Sequence, residues 1–313
     1  MYRVGIAELS APFGWRSTPR AAAPVRAQWT PMNYKHIHHA GNFADIAKHL
    51  ALVFCLEAIK RKDGAFFALD THAGRGSYDL HSPEARKSAE ADQGILKLLE
   101  TEPNEKLFAA YYAAIRARKG RPLARYHGSP AQIAGALRPQ DRALFVECMA
   151  SEARAIERHL KTDGRVRAET GDGYAALRAY LPPPERRGLV LIDPPYESAE
   201  ELTVLVRAFE DAYRRWSTGM FLMWYPILSA PQRSRVHARF SALRIPKLLY
   251  ADLAIRHDDS GVGLAGSGMI IVNPPFGADE FLSAAYAAVH RALAPRGEGY
   301  VEVARLTPER MAQ

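Results

Sequence analysis

Cysteine is nearly absent from this chain: Cys55 and Cys148 are the only two in 313 residues. Both fall inside apolar periodic segments. Two thiols supply neither a disulfide framework nor a cysteine-based zinc site, and they read as buried thiols of a reducing compartment. No run of about 18 apolar residues occurs, so no membrane-spanning helix is expected. Internal repeats and low-complexity tracts are also missing. Acids are scarce at the start: residues 1–31 carry Arg3, Arg16, Arg20 and Arg26 against Glu8 alone, with no sustained period. This stretch lacks the apolar core of a secretory signal. An organelle transit peptide would have similar composition. The simpler reading is an extension ahead of a natural start at Met32, with no part in the fold.

What is present is an ordinary globular balance, 48% hydrophobic and 24% charged residues. The length allows one large α/β domain with an insertion, or two domains. Lys and Arg exceed Asp and Glu by 42 to 34, for a net charge of +8 and a pI near 9.5, which favours an anionic partner such as a polynucleotide.

From Met32 onward helical and strand patterns alternate. Residues 42–60 have helical spacing with Asn42 as N-cap, and 65–70 form a buried strand. Residues 79–125 read as helical throughout, an inserted helical subdomain. Strands then follow at 142–147, 165–170, 188–192, 219–225, 246–255 and 268–272, with helices at 151–161, 173–180, 200–216, 230–241 and 279–293. This alternation predicts an α/β fold with a mostly parallel seven-stranded sheet covered on both faces. The expected boundaries are an extension at 1–31, a domain at 32–303 and a tail at 304–313.

The segment with the most chemistry is Asp193-Pro194-Pro195-Tyr196, directly behind the apolar strand Gly188–Ile192. Neither proline has an N–H, so the chain leaves the sheet abruptly. A rigid lip remains, carrying a carboxylate, free carbonyls and an aromatic face. Those groups suit methyl transfer to an exocyclic amino group of a base. An adenine N6 lone pair is delocalised into the ring; hydrogen bonds accepted by Asp193 and the Pro194 carbonyl would draw the nitrogen toward a tetrahedral geometry, while Tyr196 stacks on the base. A base gripped in this way has left its helical stack. The bland alternative is a Pro-rich turn after a buried strand. The segment resembles motif IV of amino-group methyltransferases acting on adenine N6 or cytosine N4.

In a doubly wound sheet, ligands sit beyond the carboxyl ends of the strands. The first strand ends Asp70-Thr71-His72-Ala73-Gly74-Arg75-Gly76, which resembles motif I of S-adenosylmethionine-binding enzymes. The glycine pattern of dinucleotide dehydrogenases opening straight into a helix is missing. Glu147 ends the second strand, where an acid reaches ribose hydroxyls. Asp172, in Gly171-Asp172-Gly173 after the third, is placed to accept a cofactor amino group or to cap the next helix. A second candidate lip, Asn273-Pro274-Pro275-Phe276, follows the last expected strand, far from the Gly-rich turn, and reads as a turn into the final helix. The histidines and bases of 34–49 lack companion ligands at metal spacing, so no metal is expected.

Tyr34 to His49, LDTHAG at 69–74, HGSP at 127–130, GLVLIDPPY at 188–196 and 268–275, in this order, closely resemble the RlmJ family, bacterial enzymes that methylate N6 of an adenine in 23S ribosomal RNA. The resemblance runs from Met32 to about Val303 and implies a Rossmann-like class I methyltransferase fold with S-adenosylmethionine as cofactor. It places Lys48, His49, His72, Gly74, Ser129, Glu147, Asp172, Gly173 and Asp193 against the cofactor, Lys48 reaching its carboxylate. Asp193, Pro194 and Tyr196 become the catalytic lip, with Tyr34 and His36 near the substrate adenine, at nucleotide 2030 in the family. The implied partner is 23S rRNA, protein-free or in an early assembly intermediate, met by a cytoplasmic monomer with no membrane association. The rival readings are a DNA adenine methyltransferase, which usually carries a larger recognition domain than this 79–125 insertion, and an inactive RNA-binding protein.

Overall fold

The computed structural model describes residues 36–101, 105–118, 120–160, 163–257, 263–294 and 296–307. Residues 1–31, Met32 and Tyr34 lie outside that set, as do 308–313 of the expected tail.

A 3-10 turn, His36–His38, leads into α1 (Phe43–Lys60), β1 (Phe67–Asp70) and β2 (Ser77–Asp79). The insertion follows as α2 (Pro83–Ser88), a π-turn at Asp92–Leu96, α3 (Lys97–Thr101) and α4 (Glu105–Ala114). It closes with β3 (Arg125–His127), which pairs antiparallel with β2. This two-stranded sheet flanks a region expected to be wholly helical; three-residue strands are too short to show an alternation in sequence. Then come α5 (Ser129–Ala136), β4 (Arg142–Glu147), α6 (Ala150–His159), β5 (Val166–Thr170), α7 (Gly173–Tyr180), β6 (Gly188–Ile192) and α8 (Glu201–Arg215). The chain continues through β7 (Met220–Ile227), α9 (Ala230–Ser241), β8 (Leu248–Ala254), β9 (Gly266–Val272), α10 (Ala278–Leu293) and β10 (Tyr300–Arg305).

The main sheet has the order β10-β8-β9-β7-β6-β1-β4-β5, eight strands where seven were expected. The additional strand, β10, pairs antiparallel with β8 at the sheet edge and takes in residues 304 and 305 of the expected tail. Its side chains are half-buried or exposed, so it lacks the continuous apolar run that betrays an inner strand. Strands β5, β4, β1, β6 and β7 run parallel, and β9 inserts antiparallel between β7 and β8.

Successive residues of an inner strand point to opposite faces, and two cores result. Ala68, Leu189 and Leu191 pack on the face covered by α1, α5, α10 and the insertion. Phe67, Leu69, Val190 and Ile192 pack on the other, against α7, α8 and α9. The insertion docks on the start of α1: Ile95 N donates to Gly41 O at 2.8 Å, and Glu90 takes Asn42 Nδ2 and His39 Nδ1, each at 2.9 Å. It thereby holds the amino end of α1 over the strand ends where the site forms.

Candidate active site

Strand β1 pairs with β4 on one side and β6 on the other, so the chain reverses its direction of travel across the sheet at β1. The crevice beyond the carboxyl ends of β1 and β6 is the topological switch point where ligands bind in such sheets. Asp70 and Asp193 stand at those two ends. Asn273 does not. Strand β9 runs antiparallel to β7, with Val272 opposite Phe221, so Asn273 emerges beside the beginning of β7, at the opposite end of the strands from the crevice. Its Nδ2 donates to Ser217 O at 2.9 Å and Gly219 O at 2.8 Å, and Phe276 beyond it is 96% exposed.

Helix α1 delivers a chain of charges to the lip. Asn42 accepts from Asp45 N at 2.9 Å and caps the helix, fixing Asp45 in its first turn. One turn on, Lys48 Nζ lies 2.9 Å from Asp45 Oδ1 and 2.5 Å from Asp193 Oδ2. Asp45 Oδ2 takes His36 Nε2 at 3.0 Å and Gly41 N at 2.9 Å. Lys48 and Asp45 are 4% and 2% exposed, a buried pair that must be compensated to persist. Burial alone would raise the Asp45 carboxyl; the charges of His36 and Lys48, with the His36 hydrogen bond, outweigh it and hold the group well below the carboxylate range. Among the described residues no hydrogen bond reaches Asp193 Oδ1, which leaves it for another donor.

The remaining strand ends carry acids in different states. Glu147 Oε2 accepts Gly74 N at 2.8 Å and its Oε1 accepts Met149 N at 2.8 Å, so the carboxylate knits the turns after β1 and β4 together. Gly74 has φ +62, and a Cβ there would meet the Tyr78 hydroxyl at 2.3 Å. Asp70 is fully buried, and its Oδ2 has no partner among the described residues. Burial pushes its carboxyl up to about 7, against a hydrogen bond from Ser129 that lowers it. Asp172 Oδ1 accepts Tyr174 N and Ala175 N, capping α7. A Cβ on Gly173 would lie 2.1 Å from Thr71 O, so α7 starts against the β1 turn only because that residue is glycine. Burial pushes His49 down to about 3 and His72 to about 4, which keeps both imidazoles neutral. His49 Nδ1 meets the Tyr126 hydroxyl at 2.7 Å.

These groups surround a cavity of about 550 Å³. Of the residues singled out in the sequence, His36, Lys48, His49, His72, Gly74, Ser129, Glu147, Asp193 and Pro194 line it. Asp172 and Gly173 stand behind the β1 turn and do not. Tyr196, at φ +51, is also off the wall: its hydroxyl donates to Trp224 O at 2.9 Å and its ring meets Trp224 edge-on at 5.8 Å. Trp224 is the aromatic that lines the cavity beside the lip. It sits inside β7 among apolar residues, where periodicity marks it only as core. Cys148, expected to be buried, is half-buried on the wall, its Sγ donating to Glu147 Oε1 at 3.3 Å. Among the described residues no three His, Cys, Asp or Glu side chains converge as a metal site.

A parallel sheet with its order reversed at β1, a late antiparallel strand between β7 and β8, and acids gathered at the switch point define the Rossmann-like class I methyltransferase fold. Residues 63–307 match the family model described as "Ribosomal RNA large subunit methyltransferase D, RlmJ", and the chain belongs to that family. Two curated relatives are each named "Ribosomal RNA large subunit methyltransferase J". The one from Haemophilus influenzae is 38% identical over 280 residues, 89% of this chain and 100% of its own length. The one from Escherichia coli is 35% identical with the same coverage. A crystal structure of a Legionella pneumophila protein, 31% identical, superposes with a TM-score of 0.79 over 85% of this chain and 98% of its own.

Proposed function

We propose that this chain transfers a methyl group from S-adenosylmethionine to N6 of an adenine in 23S ribosomal RNA, at the nucleotide the family modifies. The observation that carries the reading is Asp193, held by Lys48 at 2.5 Å with its other oxygen open among the described residues, on a proline lip lining the cavity. The names of the relatives supply the ribosomal RNA; the chemistry of the lip supplies the amino group. The reading includes a monomeric, cytoplasmic enzyme acting on RNA that is protein-free or early in assembly.

The cavity suits the cofactor. Its acids complement a sulfonium and an α-ammonium. Glu147 and Asp193 stand on its wall, and Gly74 turns there at φ +62, bringing backbone to the surface. Glu147 would hold ribose hydroxyls and Lys48 the carboxylate, with His49, His72 and Ser129 around them; the adenine would have to extend past this wall to meet Asp172 and Gly173. When bound, the cofactor supplies a methyl group on a positively charged sulfur.

The chain's own part is to make a poor nucleophile adequate. Asp193 Oδ1 and the Pro194 carbonyl accept from the amino group, which withdraws its lone pair from the ring. Pro194 and Pro195 have no N–H to compete for those acceptors. Lys48 fixes the carboxylate by its other oxygen, so orientation is paid for before the base arrives. As the nitrogen becomes tetrahedral and positive, its bonds to Asp193 strengthen, which lowers the barrier more than it tightens binding. Tyr196 braces Trp224 at the lip, against which a splayed base can stack. His36, on the cavity wall, is placed to meet that base, with Tyr34, outside the described residues, as a second candidate.

The test is incubation of the purified chain with S-adenosylmethionine and 23S RNA lacking its methylations, followed by nucleoside mass spectrometry and mapping. One N6-methyladenosine in the RNA, absent when duplex DNA is supplied, is the expected result. Methylation of DNA alone, or of a different atom, overturns the reading.

A further inference from the structure

A second groove, of about 460 Å³, continues from the mouth of the cavity, sharing Arg75, Arg125 and Glu152 with it and ending at Arg158 and His159 on α6. Its charges do not cancel. Arg75 and Glu152 neutralise each other through two contacts of 2.8 Å. Arg125 is 56% exposed; among the described residues its one acid is Asp79, at a distant 3.9 Å, and its Nε donates to Ser77 Oγ at 3.4 Å. Arg158 is exposed and makes no ion pair among the described residues. Arg116, exposed in the turn after α4, adds to the same field. The rings of His127 and His159 lie 5.8 Å apart beneath it. Burial, then the charges of Arg116, His159 and Arg125, push His127 down to about 4, and burial with the same two arginines lowers His159.

Exposed guanidinium groups with no close carboxylate among the described residues attract a polyanion, and each phosphate they engage releases condensed counterions. A channel that opens into the catalytic cavity is placed for the strand on either side of a splayed-out nucleotide. We propose that this groove is the track for the RNA backbone next to the target base, with Arg125 and Arg158 each holding a phosphate. The proposal rests on the ribosomal RNA reading above. It assigns these two residues to positioning rather than to sequence readout, because arginine contacts to phosphate carry no base information.

The experiment compares wild type with the double variant Arg125→Ala, Arg158→Ala by fluorescence anisotropy. Probes are a labelled 23S fragment and an unrelated RNA of equal length, from about 50 to 200 mM KCl. The control is Arg207→Ala, Arg214→Ala on α8, which packs on the opposite face of the sheet. The groove variant should bind both RNAs more weakly, with a salt slope shallower by about one to two, since each phosphate contact contributes roughly 0.7–0.9. Its calorimetric affinity for S-adenosylmethionine should match wild type. A salt slope unchanged in the groove variant, or equally reduced in the α8 variant, overturns the proposal, as does a variant that loses cofactor affinity while keeping its RNA affinity. Failure of the wild type to methylate 23S RNA would instead defeat the underlying reading, and wild-type activity measured alongside separates the two.

Discussion

Lys48 carries two carboxylates with one ammonium, and removing it leaves both Asp45 and Asp193 short of a partner. Lys48→Ala should therefore destabilise the protein by about 3–5 kcal/mol, the usual result of breaking a buried pair from one side. Asp193→Ala should cost much less, because Lys48 keeps Asp45 at 2.9 Å. Chemical denaturation of the two variants checks the contrast, and equal losses would show that the pair does not hold the lip. Asp70 gives a prediction in pH. Its carboxyl titrates near 7 in the folded chain against an ordinary 3.8, so the folded state binds the extra proton. Stability from this group is full at acid pH and is lost as pH rises through 7. Asp70→Asn stays neutral, so its melting temperature should gain on wild type between pH 5 and pH 8; a difference that does not vary with pH would contradict the assignment. Asp193 and Glu147 were legible in the sequence because each stands at the end of an apolar strand, where a charge has no packing role; Lys48, inside α1, came only from the family resemblance. Asp45 was not, since an acid in the first turn of a helix reads equally well as a cap and a solvated face. Trp224 was hidden by its apolar neighbours.

At the level of elements, strand direction decides between the two proline lips. Both follow apolar strands, and sequence does not say that β9 runs against β7. Its direction carries Asn273 to the amino end of β7, away from the crevice, where its side chain ties down the carbonyls before β7. Asn273→Ala should therefore lower stability by about 1–3 kcal/mol, the cost of leaving those carbonyls short of donors, and leave methyl transfer nearly untouched. Thermal denaturation beside a turnover assay separates the two effects. The inner strands were legible because apolar runs of five or six residues between turn signals have few alternative readings. Strand β10, at an edge with half-exposed side chains, and the three-residue β2 and β3 gave no such run. Helices α2, α3 and α4 lie within 79–125, but nothing in that sequence revealed that Glu90 and Ile95 clamp the start of α1.

For the whole molecule, the excess of eight positive charges acquires a place: part of it lies in the groove beside the cavity, while the catalytic cavity itself gathers acids. That division is invisible in composition, which counts charges without locating them. The fold centres on the β1–β6 crevice, and motifs of the cofactor type begin only after Met32. A chain starting at Met32 is accordingly expected to keep full methyl transfer, and loss of cofactor binding on that truncation would refute the expectation. Asp193 is proposed to act on the transition state at the amino nitrogen, which is tested by single-turnover methylation of unmodified 23S RNA by Asp193→Ala and Asn273→Ala, with circular dichroism confirming that each is folded. Asp193→Ala is expected to lose about a hundred- to a thousand-fold in turnover at undiminished RNA binding, and Asn273→Ala to stay near wild type. A folded Asp193→Ala enzyme that methylates at the wild-type rate, beside an inactive Asn273→Ala enzyme, would contradict that proposal.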